Sequence, residues 1–277
     1  MSTFQQSEFR PRSNFKSSLT ALFSIVSRDL LIIRRELIPF LLQTLMQPIL
    51  LLFVLGKVFL TAGPTGSGFS AILLPGILAL TIFMTAFQAS AIDLGRDLNV
   101  SREIDDRLLA PLPISLVAVE KLLLATLRAL IGGALVFPLA LWILGSGYQV
   151  RTDMLGIVIA LMILIALMSS ALGLMLSTIV PIQLFPLVFA LVLSPLMFMG
   201  ATFYPWASLE SIKWFQIVTL FNPLTYAAEG LRYAMVPLVY GQPVQTLGIG
   251  WVLLVLSAAF VLCFGSGLVL FRRRVVS

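Results

Sequence analysis

Two short stretches hold the charged residues of this chain that could act together. In FNPLTYAAEGLRYAMVPLVYG, residues 221–241, Glu229 and Arg232 stand three apart on one face of a helix, within pairing distance. In DLGRDLNVSREIDDRLLAPLP, residues 93–113, Arg102, Glu103, Asp105, Asp106 and Arg107 crowd into six positions beside Ile104, Leu108 and Leu109. Mixed charges next to exposed leucines suit docking to a soluble partner, the leucines supplying buried contact and the charges registration. A solvated loop with internal ion pairs is the other reading.

Neither stretch suits bond-making chemistry. The chain has no histidine, so the commonest general base near neutral pH and the commonest nitrogen metal ligand are both missing. Its one cysteine, Cys263, lies in an apolar run, cannot form an intrachain disulfide and reads as a small buried hydrophobe. No Gly-x-x-x-x-Gly-Lys-Ser/Thr phosphate loop occurs, and Gly66, Ser67 and Gly68 lead into an apolar run without a lysine. No carboxylate pair argues for an enzyme. The expectation is therefore no catalytic, cofactor or metal residue in this chain, so that an ATPase driving it would be a separate polypeptide.

The elements that must position these residues are membrane spans. Of the 277 residues, 59% are hydrophobic and 11% charged, where a soluble domain has roughly a quarter charged. A chain of this length cannot bury so much apolar surface from water, so lipid must be its solvent. The apolar stretches predict six spans near 37–60, 69–92, 113–144, 154–179, 184–201 and 247–271. The third is too long for one membrane thickness and carries Glu120, Lys121 and Arg128 in its first half, with Arg128 either snorkelling or facing protein. Pro186 and Pro195 lie inside the fifth.

Charge orients the spans. Arg10, Arg12, Lys16, Arg28, Arg34 and Arg35 precede the first, Arg96, Arg102 and Arg107 follow the second, and Arg272, Arg273 and Arg274 end the last. The positive-inside rule puts both termini in the cytoplasm. The net charge of +6 thus reads as an orientation signal and not as a nucleic-acid surface. Residues 1–15 lack the apolar core and small-residue cleavage site of a signal peptide and are expected to stay on the mature protein as a flexible cytoplasmic tail. Residues 16–36 form the next unit. Around them Phe15, Leu19, Leu22, Phe23, Val26, Leu30 and Ile33 recur at three and four, predicting an amphipathic helix in the cytoplasmic interface. Residues 37–277 form the spanning domain.

Between the fifth and sixth spans, Tyr204, Pro205, Trp206, Trp214 and Phe215 read as an aromatic belt, followed by apolar pieces too short to cross. Such pieces can dip into the bilayer and return if protein covers their ends. Glu229 and Arg232 are then either an external gate or a structural ion pair closing that end of the bundle. Within the spans, Ser169, Gly173 and Ser177 make a small-residue ridge for close helix contact. Gln43, Gln47 and Gln88 are polar groups in apolar surroundings and should face protein or a cavity. Phe83, Phe87, Met197 and Phe198, with Gln88, are candidates to line a path for an apolar or amphipathic substrate; plain packing is the alternative. No acidic residue sits at the centre of a span and no inverted repeat is evident, which disfavours ion coupling.

Nearly the whole chain resembles the permease subunits of type-2 ABC exporters, especially the drug and lipid export branch that includes daunorubicin-type resistance permeases. SREIDDRLLAPLPISLVAVEKL is similar to that family's Arg-Glu…Leu-Leu-x-x-Pro segment, and FNPLTYAAEGLR to its Asn-Pro-Leu…Glu-x-x-Arg segment before the last span. Where the family commonly has Gly-Thr after the Arg-Glu, this chain has Ile104 and Asp105. The resemblance implies an all-α membrane protein of six transmembrane helices, with an interfacial helix, a cytoplasmic coupling helix and an outer re-entrant hairpin. Arg102, Glu103, Asp105, Asp106, Arg107, Leu108 and Leu109 would touch the ATPase; Asn222, Pro223, Glu229 and Arg232 would belong to the hairpin. Two permease copies, expected to be a homodimer, would work with two cytoplasmic ATPase subunits. ATP and Mg2+ would be held by those subunits, in a bacterial-type cell membrane. A drug, lipid or lipid-linked glycan would leave from the cytoplasm or inner leaflet. Membrane lipid is a further expected partner, and the alternative class is an ATP-independent membrane carrier or channel.

Overall fold

Long apolar runs in lipid have one outlet for their backbone polar groups, the helical hydrogen bond, and the described residues accordingly form helices and short connections with no strand. The computed structural model describes residues 37–58, 69–97, 114–145, 148, 150–237 and 244–276. The amphipathic segment before the first span and the charged stretch Arg102 to Leu109 lie outside these residues.

Among the described residues nine α-helices follow in chain order: α1 Leu37–Leu51, α2 Phe69–Arg96, α3 Ile114–Leu144, α4 Leu155–Ile179, α5 Phe185–Val188, α6 Ser194–Met199, α7 Lys213–Thr219, α8 Pro223–Met235 and α9 Ile249–Val276. Six helical stretches among the described residues are long and apolar enough to cross a membrane. The first is α1 extended by a π-helical turn, Leu52–Val58, beyond Pro48. The fifth is composite. A 3-10 turn at Ile182–Leu184, α5, a π-helical turn at Phe189–Leu193 and α6 run end to end, with Pro186 and Pro195 in the first turns of α5 and α6. A proline ring and its missing N–H disturb a regular α-helix, and the changes of helix type along this span fall at Pro186 and Pro195.

The boundaries differ from those expected in instructive ways. α2 does not stop at Asp93 but continues to Arg96, and α9 runs through the arginine triplet. Helix propagation adds a hydrogen bond per residue regardless of hydropathy, so a charge marks the end of the apolar zone and not the end of the helix. α3, at 31 residues, is about 46 Å long by helical rise, well beyond the roughly 30 Å of a hydrocarbon core.

The bundle is organised around α2, which is buried along most of its length and packs on α3, α4, α8 and α1. α4 is its main neighbour and also carries α9. That α2–α4 approach is close because Gly173 lies against the α2 backbone. A Cβ there would stand 2.6 Å from the Phe87 carbonyl oxygen and 3.1 Å from the Ala91 nitrogen. Ser169 and Ser177, on the same ridge, are buried and satisfy their hydroxyls on the carbonyls of Ile165 and Leu174, leaving a small apolar surface. The first span, the composite fifth span and α9 lie at the periphery. Leu42, Met46, Leu191, Val192, Leu254 and Leu262 are among the side chains they expose, an arrangement that only a lipid or protein surround makes favourable.

Gly173→Ala is expected to lower the stability of the bundle by about 1–3 kcal/mol, the range for overpacking against atoms that cannot yield. Gly265→Ala on α9, where a Cβ meets nothing within 4 Å, is the control and should be neutral or mildly stabilising. Thermal unfolding of both variants in detergent checks the pair.

Candidate functional site

α8 begins where a helix should. Asn222 accepts a hydrogen bond from the Leu224 N–H at 3.0 Å as N-cap, and Pro223 takes the first helical position, where its missing N–H costs nothing. The Asn222 amide also donates to the Leu196 carbonyl on α6 at 2.6 Å, tying the start of α8 to the fifth span. Thr225 donates to the Thr219 carbonyl at the end of α7. At the other end the Arg151 N–H donates to the Met235 carbonyl at 2.9 Å. Held at both ends, α8 buries nearly every side chain against α2, α4 and α9. Gly230 makes room for Val252 of α9 and Leu161 of α4.

Glu229 and Arg232 lie on this helix, paired through the Arg232 Nη1 and Glu229 Oε1, and both are fully buried. The pair is a hub. Arg232 donates from Nε to the Ile72 carbonyl near the start of α2 at 3.2 Å, and from Nη2 to the carbonyls of Ala201 and Thr202 at 3.1 and 3.3 Å. Glu229 accepts from the Trp206 N–H through Oε1 at 3.0 Å and from the Leu247 N–H through Oε2 at 3.3 Å. One ion pair thus joins α8 to α2, to the turn after the fifth span and to the chain entering α9. Burial pushes the Arg232 guanidinium below its ordinary pKa, and the Glu229 charge and hydrogen bond work against that shift.

The turn it grips has an unusual backbone. Ala201 has φ 49°, in the left-handed region that costs an L-residue roughly 1–2 kcal/mol. Its carbonyl is thereby aimed at Arg232. A Cβ at Gly76 would overlap the Thr202 carbonyl oxygen, so this turn lies directly on the α2 backbone. Trp206 and Gln216 close the following loop reciprocally, the indole N–H donating to the Gln216 carbonyl and the Gln216 amide to the Trp206 carbonyl. Trp142, Trp214, Phe221 and Trp251 are exposed around this end, as side chains of a membrane–water interface would be.

The opposite end of the bundle holds a second set of charges. Arg128 faces protein, pairing with Asp93 at 2.6 Å; Lys121 pairs with Asp97 at 2.8 Å. The first bond joins α3 to the last turn of α2 and the second to the residue that follows it. Arg274, at the end of α9, donates to the carbonyls of Ser177 and Thr178 at 3.2 and 2.8 Å, supplying the cation that a helix C-terminus favours. Between α1, α2 and α3 opens a cavity of about 260 Å³, lined among others by Gln43, Gln47, Gln88, Asp93, Arg96 and Arg128.

The residues considered as a substrate path are not brought together. Phe83 and Phe87 are fully buried in the core, stacked at 6.4 Å, with Phe87 edge-on to Phe189 at 5.9 Å. Phe198 is exposed and touches Phe203, and Met197 is half-buried beside it, with its carbonyl accepting from Thr202. Of the five, Gln88 alone lines the cavity. Sequence reasoning did not anticipate the Asp93–Arg128 and Lys121–Asp97 pairs, although a carboxylate at the end of one span and a cation early in the next was the available signal. Among the described residues no cluster of three His, Cys, Asp or Glu side chains could hold a metal ion.

Arg232→Ala is expected to cost about 3–5 kcal/mol, since it strands a buried carboxylate and three backbone carbonyls. Arg232→Lys should recover only part of this, because one ammonium cannot reach Ile72, Ala201, Thr202 and Glu229 together. Thermal unfolding of the purified variants orders them.

A family model described as ABC-2 type transporter matches residues 20–236. No curated protein matches the chain.

Proposed function

Because the chain belongs to the ABC-2 type transporter family, as the membrane permease part of an ABC transporter that is not itself catalytic, we propose that it is half of the membrane channel of an ATP-driven exporter. Membership implies association with a cytoplasmic ABC ATPase, whose subunits would hold ATP and Mg2+. The observation that carries the proposal is the family match across most of the chain, joined to a sequence without a phosphate loop. Two permease copies, taken to be identical, work with two ATPase subunits. The cargo is a hydrophobic or amphipathic molecule, in the class of drugs, lipids and lipid-linked glycans, taken from the cytoplasm or the inner leaflet of a bacterial-type cell membrane. Within the family, its Arg-Glu…Leu-Leu-x-x-Pro and Asn-Pro-Leu…Glu-x-x-Arg segments resemble those of the daunorubicin-type branch.

In this reading both termini are cytoplasmic. The basic side chains at the Asp93 end support that orientation, since Arg96, Lys121, Arg128 and Arg272 to Arg274 all belong to it. Arg102, Glu103, Asp105, Asp106, Arg107, Leu108 and Leu109 form the coupling helix. Closure of the nucleotide subunits pushes on it and on the amphipathic segment before α1, and shifts the balance between inward- and outward-facing arrangements of the two permeases. ATP can shift that balance only through contacts that differ between the two states, so the coupling helix must be gripped differently in each. Asn222, Pro223, Glu229 and Arg232 lie in the outer re-entrant hairpin. The hub they build seals the outer end of each half and serves as the fixed side of the gate.

Purified alone, the chain is expected to show no ATPase activity, and with its ATPase it should raise that subunit's turnover. Replacing Arg102, Glu103 and Arg107 together with alanine should reduce the stimulated rate by roughly tenfold, the equivalent of one charge-assisted docking contact, while leaving thermal unfolding unchanged. Unchanged stimulation and transport would sink the docking role. Ion-dependent flux through liposomes containing this chain alone would favour a carrier that needs no ATP.

A further inference from the structure

Gln43 and Gln47 stand four apart on α1 and Gln88 lies on α2, three carboxamides in largely apolar spans. The structure turns all three to the same cavity. None of them has a hydrogen-bond partner among the described residues, and with Gln43 exposed and Gln47 and Gln88 half-buried their amides are open to an occupant that supplies one. The cavity has charge as well. Asp93 and Arg128 neutralise each other at 2.6 Å, whereas Arg96, on the same wall, forms no ion pair with a described residue. The wall is therefore rich in N–H donors with one positive charge in excess. Phe40 and Met84 complete it with apolar surface.

Size narrows the occupant. At about 260 Å³ the cavity is several times the roughly 30 Å³ share of one water and falls below the roughly 300–1,000 Å³ of pockets that enclose whole drug-sized ligands. α1 also exposes Ile38, Leu42 and Met46 beside Gln43, so chains attached to an occupant can remain in the bilayer. We propose that this cavity binds the anionic, oxygen-rich headgroup of an amphiphile, with Arg96 meeting the anion and Gln43, Gln47 and Gln88 donating to its oxygens. The proposal rests on the reading of the chain as a permease for amphipathic cargo and narrows that cargo to molecules with such a headgroup.

Equilibrium binding to the full chain in phosphatidylcholine nanodiscs tests it, without any ATPase. The probes are a fluorescent short-chain phosphatidylglycerol, the phosphatidylcholine of the same chains, and inorganic phosphate as competitor. Phosphatidylglycerol should bind at least about tenfold tighter than phosphatidylcholine, and Arg96→Gln and the double variant Gln43→Leu/Gln88→Leu should each weaken it by roughly tenfold. Without probe, the double variant should unfold at the same temperature as the unsubstituted chain or higher, since it removes amides that make no hydrogen bond among the described residues.

Four results would overturn the proposal: equal affinity for the two lipids, unchanged affinity in the variants, inorganic phosphate binding as tightly as the lipid, or a fall in unfolding temperature showing that the amides are structural. An export assay on the complex with its ATPase separates this proposal from the one beneath it. Transport kept after binding is lost defeats the headgroup site alone, and binding kept in a complex that transports nothing defeats the exporter reading.

Discussion

Everything at the α8 end depends on the burial of one guanidinium. A charge removed from water must find its hydrogen bonds in protein, and Arg232 finds them on three backbone carbonyls and one carboxylate. Glu229, its counter-charge, passes the requirement on to the N–H groups of Trp206 and Leu247. The turn after the fifth span, the loop at Trp206 and the chain entering α9 are thus tied to one helix by a demand for hydrogen bonds. This accounts for a left-handed alanine at position 201 and for a helix as short as α8 standing among longer ones. Such a pair is poor evidence for net stability, since an apolar filling of equal shape can do as well. Its value is in specifying which backbone groups meet.

The spans were legible in the sequence because lipid imposes a simple rule, a run of apolar residues long enough to cross, and six such runs are present. Their ends were less legible. Hydropathy marks where the solvent changes, while the helices of α2 and α9 continue past Asp93 and through Arg272 to Arg274. The Glu229–Arg232 pair could be read from its three-residue spacing. Its remaining partners could not, since Ile72, Ala201, Thr202, Trp206 and Leu247 contribute backbone groups, and no side-chain pattern announces a carbonyl.

The same distinction separates the polar residues inside the bundle. Gln43, Gln47 and Gln88 stood out by type, but only packing could show that residues on two different helices share one cavity. Phe83 and Phe87 stood out equally and lie in the solid core, stacked against each other and Phe189. Sequence identifies residues that are costly to leave facing lipid; whether the relief comes from a void, an ion pair or dense packing is decided by neighbours far along the chain. Arg128 is a case in point, satisfied by a carboxylate 35 positions earlier.

The contact between Gly76 and Thr202 also has a mechanical meaning. With no side chain between them, the two backbones cannot slide past one another without colliding, and Arg232 clamps both from the side through Ile72 and Thr202. The start of α2, the turn at 200–206 and α8 therefore form a single rigid block. Elsewhere among the described residues the backbone departs from regular α-helix in the π-helical turns at Leu52–Val58 and Phe189–Leu193, within the two least buried spans, where a helix is easier to bend. Among the described residues the clamped end and these irregular turns thus lie in different helices, and the clamp takes in the start of the helix that runs through the centre of the bundle.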